Sequence, residues 1–427
     1  MKTCSPWAWV PTLYLAEGIP YFIVNVVSVT LLKRLGMPNG ELAMYTSLLY
    51  LPWVLKPLWS PLVDVFRTKR WWILAMQGLM TLCFAAIALS IPRRTGAPSG
   101  AFAAALVFFY ITAMLSATHD IAADGFYMIA LDEHHQSLFV GIRSTFYRIA
   151  SVFGQGVIVV VAGVLETRMG NIPRAWTLTL LMCAALLLLI TAWHAFMLPG
   201  ETVPSSATGK GRQENRSIKG AFASFFRKPG VVLAVAFLLL FRLPEALSVK
   251  MLSPFMLDSA AEGGLGLSTA QSGLVYGTVG IIALTIGGIL GGVFAAAVGL
   301  RKALWPMALS LALPCGVYLY MAVAQPSSIA LIYILVALDQ FGYGFGFTSY
   351  MLYMMYFSQG EYSTSHYAIC TAFMALSMMI PGFFAGMLQE SLGYVGFFAL
   401  VMVCCLATVA VTALLPSRVD PAFGCKK

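Results

Sequence analysis

Residues 116–127 read Ser-Ala-Thr-His-Asp-Ile-Ala-Ala-Asp-Gly-Phe-Tyr, inside an apolar run that extends from about residue 101 to 131. Asp120 and Asp124 are four apart, so a helix sets both carboxylates on one face. The run is long enough to cross a bilayer. At that depth an ionised group costs several kcal/mol or more unless it is paired or wetted. Such groups persist where they face a polar cavity and do work there, so the stretch points to a transport path.

The rest of the chain fits that environment. Of 427 residues, 59% are hydrophobic and only 10% charged, where a soluble domain carries about 25% charged residues. The mean hydropathy is +0.83. The length accommodates about a dozen spans of ~20 residues. None of the eight cysteines forms a C-x-x-C pair and nearly all lie in apolar runs or at a terminus, so no disulfide, metal or other cofactor is expected. No Walker motif is present, which argues against ATP as the energy source. The first apolar stretch runs on too long for a cleavable signal peptide.

Apolar periodicity gives twelve spans: 8–32, 42–65, 71–91, 101–130, 137–165 and 174–197, then 230–257, 268–297, 302–323, 327–357, 362–388 and 393–415. The expected organisation is a six-helix bundle over 1–198, a polar linker over 199–229 and a second six-helix bundle over 230–427. The net charge of +9 could suit nucleic acid or anionic lipid, but its placement reads as a topology signal, and no nucleic-acid partner is expected. Basic residues cluster at the termini, at 67–70, in the linker and at Arg301 and Lys302, whereas the opposite loops hold only Lys33, Arg34, Arg93, Arg94, Arg168 and Arg174. The positive-inside rule then places both termini and the linker in the cytoplasm.

The two halves resemble each other. After the second span comes Ser60-Pro-Leu-Val-Asp64-Val-Phe-Arg67-Thr-Lys69-Arg70; after the eighth comes Gly292-Val-Phe-Ala-Ala296-Ala-Val-Gly299-Leu-Arg301-Lys302. Both resemble the G-x-x-x-D-x-x-G-x-R-K loop of the major facilitator superfamily, the first with Ser60 and Arg67 at the glycine positions, the second with Ala296 at the acid. The resemblance implies an all-α polytopic membrane protein of the major facilitator fold: 12 transmembrane helices in two pseudo-symmetric six-helix bundles around a central site. Asp64, Lys69, Arg70 and Arg301 are then candidates for conformational gating.

The charges segregate. Away from span ends lie Glu17 on span 1, Lys56 on span 2, Asp120 and Asp124 on span 4, Arg143 and Arg148 on span 5, Arg242, Glu245 and Lys250 on span 7, and Asp339 on span 10. In the resembled fold spans 1, 4, 7 and 10 line the cavity, and each carries an acid; spans 3, 6, 9 and 12 carry none inside. Buried ion pairs that merely lock helices together are the alternative. A turn near His134 would level Asp120 with Arg148, and Asp124 with Arg143, so those pairs are expected. His134 and His135 are expected in a solvated loop. Arg242 and Glu245, three apart, can pair across Pro244. Gly18-Ile19-Pro20, Pro244, and Gly342, Gly344 and Gly346 each adjoin a charge and are read as helix breaks lining a cavity. The glycines of span 8 from Gly277 to Gly292 read as close helix packing.

Specific phrases resemble the AmpG-type muropeptide permeases and the related acetyl-coenzyme A transporters. Residues 51–64, Leu-Pro-Trp-Val-Leu-Lys-Pro-Leu-Trp-Ser-Pro-Leu-Val-Asp, resemble their second span. His119-Asp-Ile-Ala-Ala-Asp-Gly125 resembles their Q-D-I-x-x-D-[GA], Tyr147-Arg148 their Y-R, and Thr364-Ser-His366-Tyr-Ala their T-x-Q-Y-A. The resemblance implies a monomeric carrier of the bacterial inner membrane that couples protons to import of an anionic, sugar-containing small molecule: anhydromuropeptides, or N-acetylglucosaminyl-anhydro-N-acetylmuramic acid, for peptidoglycan recycling. Lys56, Asp120, Asp124 and Arg148 carry over directly. Asp120, Asp124, Glu17, Glu245 and Asp339 are the proton-coupling candidates; Lys56, Arg148, Arg143, Arg242, His119, Tyr147 and His366 are the substrate-binding candidates. His119 and His366 stand where the pattern has Gln. The competing readings are the same fold with another cargo (a siderophore, coenzyme A ester, sugar or drug) and a membrane-embedded acyltransferase, for which His119 beside Asp120 is the tempting pair.

Overall fold

The computed structural model describes residues 5–131, 133–200, 218–360, 363–420 and 423. Every regular element among them is helical. The chain forms two compact units. The first comprises Met1–Met37 with Leu55–Glu214, the second Pro38–Val54 with Asn215–Lys427.

In unit 1, span 1 covers Pro6–Arg34, span 3 Lys69–Ser90, span 4 Ser99–Ala130, span 5 residues 133–169 and span 6 Ile172–Met197. Local signals set the ends. Thr68 accepts from Trp71 N to open span 3, and Asn171 accepts from Arg174 N, ahead of Pro173, to open span 6; both are N-caps satisfying an otherwise orphaned donor. Spans 1, 3 and 4 share a core of Trp9, Val10, Leu13, Tyr14, Ile73, Ala122 and Phe126. Span 1 does not break after Pro20. It stays helical and widens to a π turn at Ile23–Val27, as span 5 does at Phe153–Ile158. Gly18 lies against Ala150, where a Cβ would come within 2.6 Å of the alanine methyl, so this glycine serves close approach of spans 1 and 5.

Unit 2 holds span 7 (Val231–Leu257), span 8 (Thr269–Val298), span 9 (Leu300–Ala324) and span 10 (Ile329–Ser358). Span 7 is interrupted at Arg242 (φ −99°, ψ 9°), just before Pro244. Carbonyls beside the break are satisfied by side chains: Leu238 O accepts from Tyr350 OH at 2.7 Å and Phe241 O from Thr408 Oγ1 at 2.9 Å, which keeps irregular backbone from being left bare. Span 10 corrects an expectation, because it runs unbroken through Gly342, Gly344 and Gly346. These glycines seat the helix on its neighbours. Gly344 meets Leu284 O, Gly342 meets Ser310 O and Gly346 meets Met307 O; Gly287 and Gly291 of span 8 meet Phe341 O and Phe345 O in return. Gly344→Val is therefore expected to separate spans 8 and 10 and to abolish recovery of folded, monodisperse protein in detergent, whereas Gly292→Ala, where a Cβ meets nothing, leaves recovery unchanged.

Ten helices among the described residues are long and apolar enough to cross a membrane, and the difference from twelve has two causes. Span 2 is divided into Asn39–Leu48 and Leu51–Val65; Pro52 has no N–H for the carbonyl four residues earlier, so the ladder stops there. Spans 11 and 12 run together as a 52-residue helical stretch, Ser363–Leu414. A straight helix of that length would be about 78 Å long, far beyond the ~30 Å hydrocarbon layer; Gly393 (φ 66°, ψ 173°) turns it between two arms.

The first part of span 2 packs in unit 2. Asn39 Nδ2 donates to Gln389 Oε1 (2.6 Å) and Tyr394 OH (3.2 Å), Tyr394 OH donates to Asp258 Oδ2 (2.6 Å), and Gly40 N donates to Glu390 Oε1 (2.6 Å). The linker also ends in unit 2, as the helix Ile218–Phe226, whose Phe225 is fully buried. The two repeat loops share a backbone feature. Gly299 has φ 79° and Arg67, at the matching position, φ 62°; the loop needs a left-handed residue there, which glycine adopts freely and arginine at a cost of roughly 1 kcal/mol.

Candidate functional site

Unit 1 gathers its intramembrane charges into one cluster. Lys56 Nζ donates to Asp120 Oδ2 at 2.5 Å, with side chains 30% and 17% exposed; Arg143 Nη2 lies 2.6 Å from Asp124 Oδ1, with side chains 30% and 34% exposed. Both pairs are thus partly open. Tyr14 OH donates to Asp124 Oδ1 (3.3 Å), and the Arg143 guanidinium sits 4.5 Å from the Tyr14 ring centre and 5.7 Å from that of Tyr127. Trp59 Nε1 donates to Thr118 Oγ1 at 3.2 Å, tying span 2 to span 4. Glu17 is buried, within electrostatic reach of Asp120, Asp124 and Arg143, and its Oε2 has no hydrogen-bond partner.

The Asp124–Arg143 pair is as expected; the Asp120–Arg148 pair is not formed. The turn falls at Leu131, with the helix resuming at Glu133. His134 and His135 accordingly belong to a helix and not to a loop. Lys56 takes the place of Arg148 at Asp120. Three acids (Glu17, Asp120, Asp124) thus meet two bases (Lys56, Arg143), and two pairs form. The remainder is Glu17, a carboxyl with no ion-pair partner among the described residues; Arg148, on span 5, is half-buried and likewise has no ion-pair partner among them. Tyr147, beside it, packs on Phe22 and Tyr21.

In unit 2, Arg242 Nε and Nη2 donate to Glu245 Oε2 and Oε1 at 2.7 and 2.8 Å, and Nη2 also to Tyr343 OH at 2.9 Å. The guanidinium lies 4.7 Å from the Phe347 ring centre. Asp339 accepts from Tyr318 OH (2.7 Å) and Gln340 Nε2 (2.9 Å).

Other candidates stand apart from these clusters. The sequence reading puts His119 and His366 at the cargo; the structure packs both inside a unit. His119 Nε2 lies 2.9 Å from Gln77 Nε2, and Gln77 Oε1 accepts from His194 Nδ1 at 3.0 Å, a chain that continues to Thr12. His366 Nε2 is 2.8 Å from Ser224 Oγ, and its ring meets Phe225 edge-on. A helix turn of 100° per residue explains the first: with Asp120 aimed at Lys56, His119 faces span 3. Of the gating candidates, Lys69 is buried and donates to Val63 O (3.2 Å), Arg70 donates to Ala195 O (2.6 Å), Arg301 is exposed, and the side chain of Asp64 lies outside the described residues. Sequence reasoning passed over Tyr14, although it stands three residues before Glu17 on one helix face. Tyr318 and Gln77 carried no such signal.

This architecture is that of a membrane carrier, and the chain belongs to the Major Facilitator Superfamily, whose family model matches residues 12–364. Over nearly its whole length it is similar to a protein of Rickettsia conorii named as an AmpG transporter (24% identical, covering 96% of each chain), and to the anhydromuropeptide permease of Escherichia coli K12 (23% identical, covering 90% of this chain and 74% of the permease). Among solved structures it matches a bacterial homologue of the human lysosomal transporter Spinster (TM-score 0.72, 14% identical, covering 96% of this chain and 95% of that one) and the nucleoside transporter NupG (TM-score 0.71, 12% identical, covering 96% and 99%). The protein is a membrane-embedded secondary transporter and not an enzyme.

Proposed function

We propose that the protein imports cell-wall-derived anhydromuropeptides, or the anhydro-disaccharide without its peptide, across the bacterial inner membrane by proton-coupled alternating access, with both termini cytoplasmic. The observation that carries this reading is the surplus acid of the unit 1 cluster: Glu17 lies beside two acids whose cations are already paired. Arg148 has a planar fork suited to a carboxylate, and no acid among the described residues is paired with it. Glu17, buried beside two acids, is where a proton relieves like-charge repulsion, and Asp120 and Asp124 sense that proton through the shared field. The similarity to the anhydromuropeptide permease, over 90% of this chain and 74% of the permease, supports the cargo class.

The test is uptake of labelled N-acetylglucosaminyl-anhydro-N-acetylmuramic acid into proteoliposomes. With a gradient acid outside, accumulation should reach roughly tenfold per pH unit for one proton per cargo, and an uncoupler should collapse it. Uptake indifferent to the gradient rejects the coupling. Absence of uptake, with transport of another anion in a competition panel, rejects the cargo.

A further inference from the structure

A small cavity in unit 2 lies outside the Lys56–Asp120 and Arg143–Asp124 cluster. It is enclosed by spans 7, 9 and 10, with Glu245, Ser248, Cys315, Tyr318, Asp339 and Gln340 among its walls, and has room for one occupant the size of a water molecule. The charges around it do not cancel. Arg242 neutralises Glu245 through two hydrogen bonds. Asp339 receives only neutral donors, Tyr318 and Gln340, so with both carboxyls ionised the group has one surplus negative charge, buried. Such a charge is too costly to stand uncompensated at membrane depth. A second observation points to what compensates it. Ser248 is 3% exposed, lines the cavity, and its Oγ has no hydrogen-bond partner. It stands three residues after Glu245, on the same helix face. A proton on Asp339 would cancel the charge but leave that hydroxyl oxygen idle.

We propose that this cavity binds one monovalent cation of sodium size, held by Asp339 Oδ, Ser248 Oγ and the remaining lone pairs of Gln340 Oε1 and the Glu245 carboxylate. All are hard oxygen ligands. One surplus charge calls for a monovalent ion, and a space sized for one water admits sodium and excludes an organic cation such as choline. Among the described residues no group of three His, Cys, Asp or Glu is placed to hold a metal ion, which sets the site apart from a transition-metal centre. The assignment goes beyond the proton coupling proposed above, moves Asp339 out of the proton-binding set, and is independent of the cargo.

The experiment is thermal unfolding of the purified full-length protein in detergent at alkaline pH, followed by tryptophan fluorescence. Sodium chloride is exchanged for choline chloride at constant ionic strength, with no cargo present. Sodium should raise the midpoint by a few degrees in a saturable manner, as a ligand of the folded state must, and choline should not. Ser248→Ala should unfold as the wild type does in choline and require roughly tenfold more sodium for the same rise, the effect of one lost polar ligand; Asp339→Asn should abolish the response. No sodium-specific rise in the wild type, or a rise fully retained in Ser248→Ala, overturns the proposal, the latter even if Asp339→Asn does not fold. Stabilisation by acid alone, without sodium dependence, gives the countercharge to a proton and also overturns it. Because cargo is absent, failure here leaves the import reading standing, and failure of uptake leaves this result standing.

Discussion

Asp120→Asn abolishes coupled uptake, lowering the rate by at least about 100-fold, while the protein remains folded in the membrane. The size follows from what the carboxylate does. It is the anion for Lys56 Nζ at 2.5 Å and shares its field with Glu17 and Asp124. Removing one member of a buried pair strands the other charge, a penalty of 3–5 kcal/mol when both are sealed. Here the side chains are 30% and 17% exposed, so solvent screening brings the structural cost down to about 1–2 kcal/mol. Transport suffers more than stability because the ability to exchange a counter-ion is lost altogether. The control is Lys56→Met combined with Asp120→Asn, which removes both charges. Thermal stability should return to within about 0.5 kcal/mol of wild type, and uptake should stay abolished. Recovery of uptake in the double variant would show that the pair only braces the helices, the bland alternative for intramembrane charges.

Arg148→Ala raises the KM for the anionic cargo by roughly 10- to 100-fold, the loss of one charge-assisted, forked contact of about 1.5–3 kcal/mol. Arg148→Lys falls between, since an ammonium keeps the charge but not the fork. Stability should hardly move, within about 0.5 kcal/mol, because this guanidinium has no ion-pair partner among the described residues to lose. Arg143→Ala makes the useful contrast. It leaves Asp124 without its cation and strips the guanidinium from the Tyr14 ring, so it should lower the unfolding midpoint by several degrees. Equal destabilisation by both substitutions, or an unchanged KM in Arg148→Ala, would remove Arg148 from the cargo site.

The class of fold was legible because its signals are one-dimensional. Apolar run length, the basic bias of one set of loops, and the paired loops at Asp64 and Ala296 need no tertiary knowledge. So was the segregation of acids on spans 1, 4, 7 and 10, and the Arg242–Glu245 pair, which a single helix closes. Partners across helices were less legible. Hairpin levelling of spans 4 and 5 found Arg143 for Asp124 but could not see Lys56, which reaches Asp120 from span 2. The glycines of span 10 show the same limit from another side. Flexibility and close packing both call for glycine, and only the position of the neighbouring carbonyls, Leu284 O and Met307 O, separates the two. Rotation about the helix axis decided His119, which one residue of register removes from the face that Asp120 occupies.

The division of span 2 has a consequence for how the chain can be cut. Residues 38–54 are grouped with unit 2 although they precede most of unit 1 in sequence, so the backbone passes from one unit to the other three times, not once. Severing the linker would therefore not yield two self-sufficient pieces. A fragment beginning at residue 215 would leave Gln389, Glu390 and Tyr394 without Asn39 and Gly40, and would open the bare backbone at Gly386 against which Asn39 O is laid. That fragment becomes whole only when the N-terminal piece donates the short helix Asn39–Leu48, so the unit is completed by a segment from the other end of the sequence.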